Sequence, residues 1–271
     1  MPELPEVETI RRGLEPALLG RTITQVVLRH TRLRLPLAPE LKKMLPGQRV
    51  LAIERRAKYL LLRLDQGVLL FHLGMSGYLR LVRAELEVQR HDHVDLLFDD
   101  GTILRFNDAR RFGLMLWLGR EADGHSLLAG LGPEPWDAAM TGDYLHAVAA
   151  GRKTAIKNVI MDQKVVVGVG NIYASEALYR AGIAPQAEAG RISLPRYQRL
   201  AEAMRAVLTE AVAAGGTTLR DFRDSQGKPG YFSRQLDVYG RAGAPCHGCG
   251  RPISQRKIGG RSSFFCRHCQ R

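Results

Sequence analysis

Cys246-His247-Gly248-Cys249 and Cys266-Arg267-His268-Cys269 contain every cysteine of the chain and are separated by sixteen residues. Each knuckle of two-residue spacing can direct a pair of thiolates onto one ion, and the stretch between the knuckles is long enough for a hairpin. The spacing therefore predicts one tetrahedral zinc site with four cysteine ligands. A site closed by four sulfurs has no open position, so the predicted zinc is structural. Disulfides are the alternative, and a reducing interior disfavours them.

The finger defined by these cysteines is basic and contains no acidic residue. The whole chain has 40 Lys and Arg against 27 Asp and Glu, a net charge of +13. The finger's share is Arg251, Arg256, Lys257, Arg261, Arg267 and Arg271. This charge predicts a polyanionic partner such as nucleic acid. A basic membrane-surface protein would have similar charge, but no apolar run approaches the ~18 residues of a span and no secretory signal is visible. We therefore expect a soluble, intracellular protein.

Upstream of the finger, the apolar residues follow the 3.6-residue period of helices. The clearest predicted helix begins at Ser193 as N-cap and ends at Gly215-Gly216. Shorter helices are expected near 141–149, 154–163 and 171–181. The glycines of VVVGVGN at 165–171 break the pattern, which gives two helices joined by a turn whose second N-terminus can bind an anion. No GK[ST] follows, so a nucleotide-hydrolysing loop is disfavoured.

Further upstream, the pattern is that of strands. Residues 23–30, 49–64, 68–82 and 93–118 are rich in Val, Leu, Ile and Phe, and Asp99-Asp100-Gly101 predicts a hairpin turn. Several short strands after one helix predict an antiparallel sandwich or barrel of about 130 residues. The sequence LGPEP at 131–135 reads as a linker. We therefore divide the chain into domains at 1–130, 131–240 and 241–271.

The first residues, Met1-Pro2-Glu3, carry a possible nucleophile. Removal of Met1 would expose the secondary amine of Pro2, and an α-amino group has a pKa near ~7.7–8.0 against ~10.4 for lysine. Its condensation with an aldehyde gives a cationic iminium that favours elimination at the neighbouring carbon. The alternative is an ordinary helix start, because Ile10, Leu14 and Leu18 follow at helical spacing.

Nine motifs, in order along the whole chain, resemble those of the bacterial formamidopyrimidine-DNA glycosylases (Fpg or MutM). They are MPELPEVET at the start, RRAKYLL at 55–61, HLGMSG at 72–77, QRHDHVD at 89–95, NDARRFG at 107–113, LGPEP at 131–135, KTAIKNVIMDQKVVVGVGNIYASE at 153–176, GKPGYF at 227–232 and the four-cysteine finger. The resemblance implies a multidomain α+β protein. Its parts would be an N-terminal antiparallel β-sandwich with an N-terminal helix, a helix-two-turn-helix domain and a C-terminal zinc finger, with DNA in the cleft between the lobes.

The resemblance also implies catalytic roles. Pro2 would be the Schiff-base nucleophile at C1′ of a damaged nucleotide, and Glu3 the acid that protonates the opening sugar ring. Lys58 would be the proton donor in β-elimination and Arg261 in the δ-elimination that follows. Without the resemblance, Lys58 reads as a solvated strand residue.

A glycosylase must take its target base out of the duplex, so other groups should fill the vacated space. By resemblance, Met75 and Phe112 wedge into the gap and Arg110 reaches the orphaned base, which would also kink the DNA. Without it, Met75 and Phe112 read as core or loop packing. The other DNA contacts implied are His91, Arg152, Asn171, His72 and Tyr239. Arg152 stands where some relatives carry lysine, which keeps the charge and alters its geometry.

Three further features have open interpretations. His91 and His93 bracket Asp92 and could form a metal or acid–base cluster, although a structural role for His93 is preferred. Glu176 either orients the N-terminal amine or is a carboxylate on a helix surface. Residues 217–232 read as a lid over the everted purine or as an interdomain connector.

The resemblance predicts a bifunctional DNA glycosylase and abasic-site lyase of base excision repair that removes oxidised purines such as 8-oxoguanine and formamidopyrimidines from duplex DNA. We expect a cytoplasmic bacterial monomer with one zinc ion and no membrane partner. Leu4, Met75 and GKPGYF favour this branch over the endonuclease VIII branch, which acts on oxidised pyrimidines. A zinc-finger protein that binds distorted DNA without cleaving it is the non-enzymatic alternative.

Overall fold

A computed structural model describes residues 2–83, 86–120, 122–217 and 235–271. These form two compact units. The first contains residues up to 129 together with 214–217, and the second contains residues 130–213 together with 235–271. In these described ranges, no helix is both long and apolar enough to cross a bilayer.

The first unit starts with helix α1 (Leu4–Leu18). Its buried face includes Ile10, Leu14 and Leu18, as their helical spacing predicts. The described part of this unit also has two single-turn helices, α2 (Leu41–Met44) and α3 (Ser126–Ala129), and a 3-10 turn at Ala122–Gly124.

Eight strands of the first unit form two antiparallel sheets. In chain order they are β1 (Ile23–Leu28), β2 (Val50–Arg56), β3 (Tyr59–Leu64), β4 (Gly67–His72), β5 (Tyr78–Val82), β6 (Asp92–Phe98), β7 (Ile103–Asn107) and β8 (Leu114–Trp117). One sheet has the order β1-β6-β7-β5 and the other β2-β3-β4-β8. A single apolar cluster contains side chains from α1, such as Val7, and from both sheets, such as Val94 and Leu62. Two sheets around a shared core make a sandwich, so the barrel alternative is wrong.

The predicted hairpin at 99–101 joins β6 to β7. Gly101 has φ +80°, the left-handed conformation that glycine adopts without strain. The Asp100 carboxylate accepts hydrogen bonds from the backbone N–H of Thr102 at 2.9 Å and from its hydroxyl at 3.0 Å. The turn prediction is therefore confirmed.

The described residues of the second unit form four α-helices and one hairpin. They are α4 (Gly142–Ala149), α5 (Ile156–Ile160), α6 (Asn171–Arg180), α7 (Leu194–Ala213), β9 (Ser254–Ile258) and β10 (Arg261–Phe265), with a 3-10 turn at Ala189–Arg191. Helix α5 is shorter than the predicted 154–163: it begins at Ile156 and ends at Ile160, with Met161 as its C-cap. The valines that follow are buried in a non-helical segment, where Gly168 has φ +82°. Burying these valines therefore stabilises the chain more than a longer α5 helix would.

Candidate functional site

The N-terminal segment is buried and held by the carboxylate of Glu6. Glu3 is 2% exposed, and its backbone N–H donates to Glu6 Oε2 at 2.7 Å. Glu6 Oε1 accepts from the backbone N–H of Thr217 at 2.8 Å. One side chain thus fixes the residues before α1 against the first residue of the predicted lid. Sequence reasoning did not single out Glu6, although its position three residues after Glu3 is the spacing of a capping box.

Lys58 lies in the tight turn between β2 and β3 and is only 7% exposed. The preceding Ala57 has φ +56°, which is uncommon for a residue with a side chain, and its carbonyl accepts from Arg55 Nη1 at 3.0 Å. The expectation of a solvated strand residue is wrong, since Lys58 follows this tight reversal and its side chain is buried.

The wedge loops, defined as residues 73–77 and 108–113, follow β4 and β7. Met75 and Phe112 are 41% and 46% exposed although both are large and apolar. The Arg110 guanidinium lies 4.7 Å from the centre of the Phe112 ring, within the range of a cation–π contact. Between them Arg111 has φ +55°. The loops therefore present two apolar side chains and the guanidinium of Arg110 to solvent, so the alternative that Met75 and Phe112 are core residues is wrong.

The side chain of His72 is hydrogen-bonded to the backbone of the first wedge loop. Its Nδ1 accepts a hydrogen bond from the backbone N–H of Gly74 at 3.0 Å. Burial, followed by the positive charges of Lys58 and Arg34, lowers the pKa of His72 to about 4 from its usual 6.5. His72 is thus neutral near pH 7, and any contact with a phosphate would be a hydrogen bond without a positive charge.

The histidines at 91 and 93 differ in their surroundings. His93 is 4% exposed, and its Nε2 lies 2.8 Å from the carbonyl oxygen of Asp108. Burial is the main cause that lowers the pKa of His93. The structural role expected for His93 is confirmed. His91 is half-buried, and across the described part of the chain the four cysteines form the only group suited to a metal, so a metal cluster at His91 finds no support.

In the second unit, the first residue of α6 connects the pair of helices α5 and α6 to the finger. Asn171 Nδ2 donates to the hydroxyl of Tyr239 at 3.2 Å and to the carbonyl of Ser262 at 3.0 Å. The Tyr239 ring meets Phe264 edge to face at 4.9 Å. Asn171 and Tyr239, both predicted to contact phosphate, thus share a hydrogen bond.

A buried lysine makes a second contact with the β9–β10 hairpin of the finger. Lys157 is 1% exposed, and its ammonium donates to the Ser263 hydroxyl at 2.8 Å and the Ser262 carbonyl at 3.3 Å. Arg261, at the start of β10, is exposed, as is Arg152 in the loop after α4. Sequence reasoning missed Lys157, because nothing in its local pattern reveals a partner more than 100 residues away.

Glu176 holds the segment that leads into the finger. Its two carboxylate oxygens accept backbone N–H groups of Asp237 at 2.7 Å, Val238 at 3.0 Å and Tyr239 at 2.8 Å. Its side chain is fully buried, and burial raises its pKa. The helix-surface alternative is therefore wrong.

The four cysteine sulfurs all lie within 4.8 Å of one another. Cys246 Sγ is 3.9 Å from Cys269 Sγ, and Cys249 Sγ is 3.5 Å from Cys266 Sγ. Four sulfurs at ~2.3 Å from a tetrahedral zinc would be about 3.8 Å apart, so the cluster fits that ion. The predicted structural zinc site is confirmed.

The predicted site residues are divided between the two units. The first unit contains Pro2, Glu3, Lys58, His72, Met75, His91, Arg110 and Phe112, and the second contains Arg152, Asn171, Tyr239, Arg261 and the cysteines. Apart from Thr217, the predicted lid and its GKPGYF motif lie outside the described residues.

Three segments of the chain match known domain families. Residues 1–115 match the formamidopyrimidine-DNA glycosylase N-terminal domain, residues 131–223 its H2TH domain, and residues 243–271 the zinc finger found in FPG and IleRS. In this order, the three matches define the class as a zinc-finger DNA glycosylase.

Full-length relatives support the same classification. The chain is 58% identical to a formamidopyrimidine-DNA glycosylase of Syntrophotalea carbinolica and 54% identical to one of Escherichia coli, with 100% of each chain covered. The crystal structure of MutM (FPG) from Thermus thermophilus matches with a TM-score of 0.87 and 40% identity, over 99% of this chain and 98% of that one. A Lactococcus lactis Fpg solved with abasic-site DNA matches with a TM-score of 0.93 and 32% identity, over 99% of both chains. The chain belongs to the formamidopyrimidine-DNA glycosylase family.

Proposed function

We propose that this DNA glycosylase removes oxidised purines, including 8-oxoguanine and formamidopyrimidines, from duplex DNA and then cleaves the abasic site. Membership of the family supports this, as do Lactococcus lactis relatives solved with Fapy-dG-containing and abasic-site DNA. The net charge of +13 suits a phosphate backbone. The proposal includes a bacterial cytoplasmic location and a monomeric enzyme.

The proposed nucleophile is the amine of Pro2, exposed by removal of Met1. Its nitrogen lone pair forms a bond to C1′ while the bond from C1′ to the base breaks. The base leaves with the electron pair of that bond and takes up the proton that the amine loses. Glu3 protonates the ring oxygen as the sugar opens, which leaves an iminium between Pro2 and C1′. Loss of a proton from C2′ then expels the 3′ phosphate, and a second elimination expels the 5′ phosphate. Lys58 and Arg261 are the proposed proton donors of these two steps. A one-nucleotide gap remains in the DNA, and hydrolysis of the iminium by water releases the sugar remnant from Pro2.

The observation that carries the proposal is the anchored N-terminal segment of the first unit. Nucleophilic catalysis requires an amine held in one place, because misplacement by about an ångström can cost a large part of the rate. Glu6 provides this by binding the backbone N–H groups of Glu3 and Thr217 together. The bond to Glu3 alone would be a capping box that stabilises the start of α1, whereas the second bond, to Thr217, also ties this segment to a distant part of the chain.

The wedge loops supply the second requirement of the reaction. Removal of a base from the stack leaves a gap and an orphaned partner. Met75 and Phe112 present the exposed apolar surface that can fill the gap, and Arg110 presents donors for the partner base. Asn171, Tyr239, His91, His72 and Arg152 are proposed to bind the backbone.

Borohydride reduction in the presence of lesion-containing duplex tests the chemistry. The unchanged protein should become covalently attached to DNA, because borohydride reduces the iminium. Pro2→Gly should lower the yield of the adduct at least about tenfold while changing DNA affinity less than about threefold. Equal loss of trapping and binding, or no adduct with the unchanged protein, would refute the proposal.

A panel of single-lesion duplexes separates the competing branches. The purine branch predicts faster excision of 8-oxoguanine and formamidopyrimidines than of oxidised pyrimidines, with phosphates at both ends of the gap. Preferential excision of oxidised pyrimidines would favour the endonuclease VIII branch. Tight binding without any cleavage would favour the non-enzymatic alternative.

A further inference from the structure

Asp108 is the first residue of the second wedge loop and is fully buried. Its Oδ1 accepts a hydrogen bond from the Ser76 hydroxyl at 2.7 Å and from the backbone N–H of Arg110 at 3.2 Å. Its Oδ2 accepts from the backbone N–H of Gly113 at 2.7 Å. One carboxylate therefore joins the loop that carries Met75 to two points of the second loop, at Arg110 and at Gly113.

The two loops also touch through their backbones. A Cβ on Gly74 would lie 2.4 Å from the nitrogen of Gly113 and from the carbonyl carbon of Phe112, and Gly74 has φ +63°. A Cβ on Gly113 would lie 3.0 Å from Asp108 Oδ2. No side chain fits between the loops at these positions. The relative placement of the loops therefore depends on this close contact, on the hydrogen bonds of Asp108 and on the bond that the backbone N–H of Arg110 donates to Ser76 Oγ at 3.2 Å.

A simple turn-capping role explains only part of this arrangement. The bond to the N–H of Arg110, two residues later, is the usual contact of an aspartate that caps its own turn. The bond to Ser76 crosses 32 residues of sequence and lies in the other loop. The third bond reaches the far end of its own loop at Gly113. A carboxylate used only to cap a turn would need neither of these contacts.

We propose that Asp108 is a positioning residue that sets Met75, Arg110 and Phe112 in one arrangement before DNA arrives. Asp108 itself does not touch DNA. Loops ordered in advance do not lose further conformational entropy when they enter the duplex, and that loss otherwise opposes binding. Loosened loops would fill the gap poorly, whereas the reaction of Pro2 with an accessible sugar would not change. This role rests on the proposed function.

Asp108→Asn is the direct test, because an amide keeps the shape but replaces one acceptor oxygen with a donor that faces N–H groups. Single-turnover excision from a lesion duplex should fall at least tenfold. Cleavage of a single-stranded abasic oligonucleotide, which has no stack to fill, should stay within twofold of the unchanged protein. The fluorescence rise of a 2-aminopurine beside the lesion, which reports unstacking, should shrink.

Two further variants provide a second disruption of the contact between the loops and a matched control. Ser76→Ala removes only the hydroxyl that joins the loops, so it should lower duplex excision about threefold with the same preference for duplex, even if Asp108→Asn does not fold. Asp100→Asn makes the same chemical change at the opposite end of β7, where the carboxylate caps a turn remote from the wedge loops. It should leave both activities within twofold.

The outcomes are separable from those of the proposed function. Equal loss of both activities in Asp108→Asn or Ser76→Ala, or unchanged duplex excision in both, would overturn the positioning role while the function stands. Failure of the unchanged protein to cleave either substrate would overturn the function and this role together.

Discussion

The wedge loops and the zinc finger are held in different ways. The wedge loops sit on a sandwich with an extensive apolar core, and a buried carboxylate sets their geometry. Of the described residues, the finger contributes only four to its buried cluster, Cys246, Ile253, Phe264 and Cys266, and two of these are zinc ligands, so its shape depends on the metal and on contacts from α6. A surface that must keep precise side-chain positions is thus built on a packed core, while a small hairpin is held by coordination and docking. Chemical changes should affect the two regions separately.

Zinc removal should have the largest effect. Cys266→Ser, or exhaustive chelation, should reduce the zinc content from one ion per chain to none and weaken binding to lesion duplex at least about 100-fold, because a structural zinc contributes most of the folding energy of a small finger. The matched control is Pro2→Gly, which should retain zinc and binding. Full duplex affinity after verified metal loss would show that the finger does not depend on zinc.

Lowering the pH should destabilise the first unit because His72 is buried in its neutral form. The folded pKa of about 4 lies below the usual 6.5, so the unfolded chain takes up a proton between these values while the folded chain does not. The free energy of unfolding should therefore fall as the pH drops from 6.5 to 4, by roughly 3 kcal/mol from this group, with no further loss below that range. His72→Asn keeps an acceptor near Gly74 and does not titrate. Denaturant unfolding at several pH values should show a shallower decline for this variant, and identical declines would contradict the assignment.

Glu176→Gln should have a smaller effect, confined to the second unit. Glutamine has one acceptor oxygen in place of two, so at least one of the three N–H groups from 237–239 would lose its partner. The expected loss is about 1–3 kcal/mol in the free energy of unfolding. Hydrogen exchange should increase at these three amides and stay unchanged at Gly113, whose N–H binds Asp108. Faster exchange at Gly113 as well would show that the two regions are not held independently.

Local patterns predicted much of this structure. The cysteine spacing gave the zinc ligands, Asp99-Asp100-Gly101 gave the β6–β7 turn, and the 3.6-residue period gave α7. Each of these features depends on residues close together in sequence, or on one metal that brings two short motifs together.

Long-range partners could not be predicted in this way. Asp108 meets Ser76 across 32 residues, and Glu6 meets Thr217 across 211. Lys58 reads as a solvated strand residue, yet it follows the left-handed Ala57 and its side chain is buried. In each case the tertiary arrangement decides which side chain is buried and what it binds. The residues that hold the proposed site in place are therefore harder to recognise than those proposed to perform its chemistry.

The most direct test of the central claim is to map the bond between protein and DNA. After borohydride reduction with 8-oxoguanine duplex, proteolysis and mass spectrometry should find the deoxyribose remnant on the nitrogen of Pro2, in chains that have lost Met1. An adduct on Lys58 or any other side chain, or active protein that retains Met1, would contradict the account.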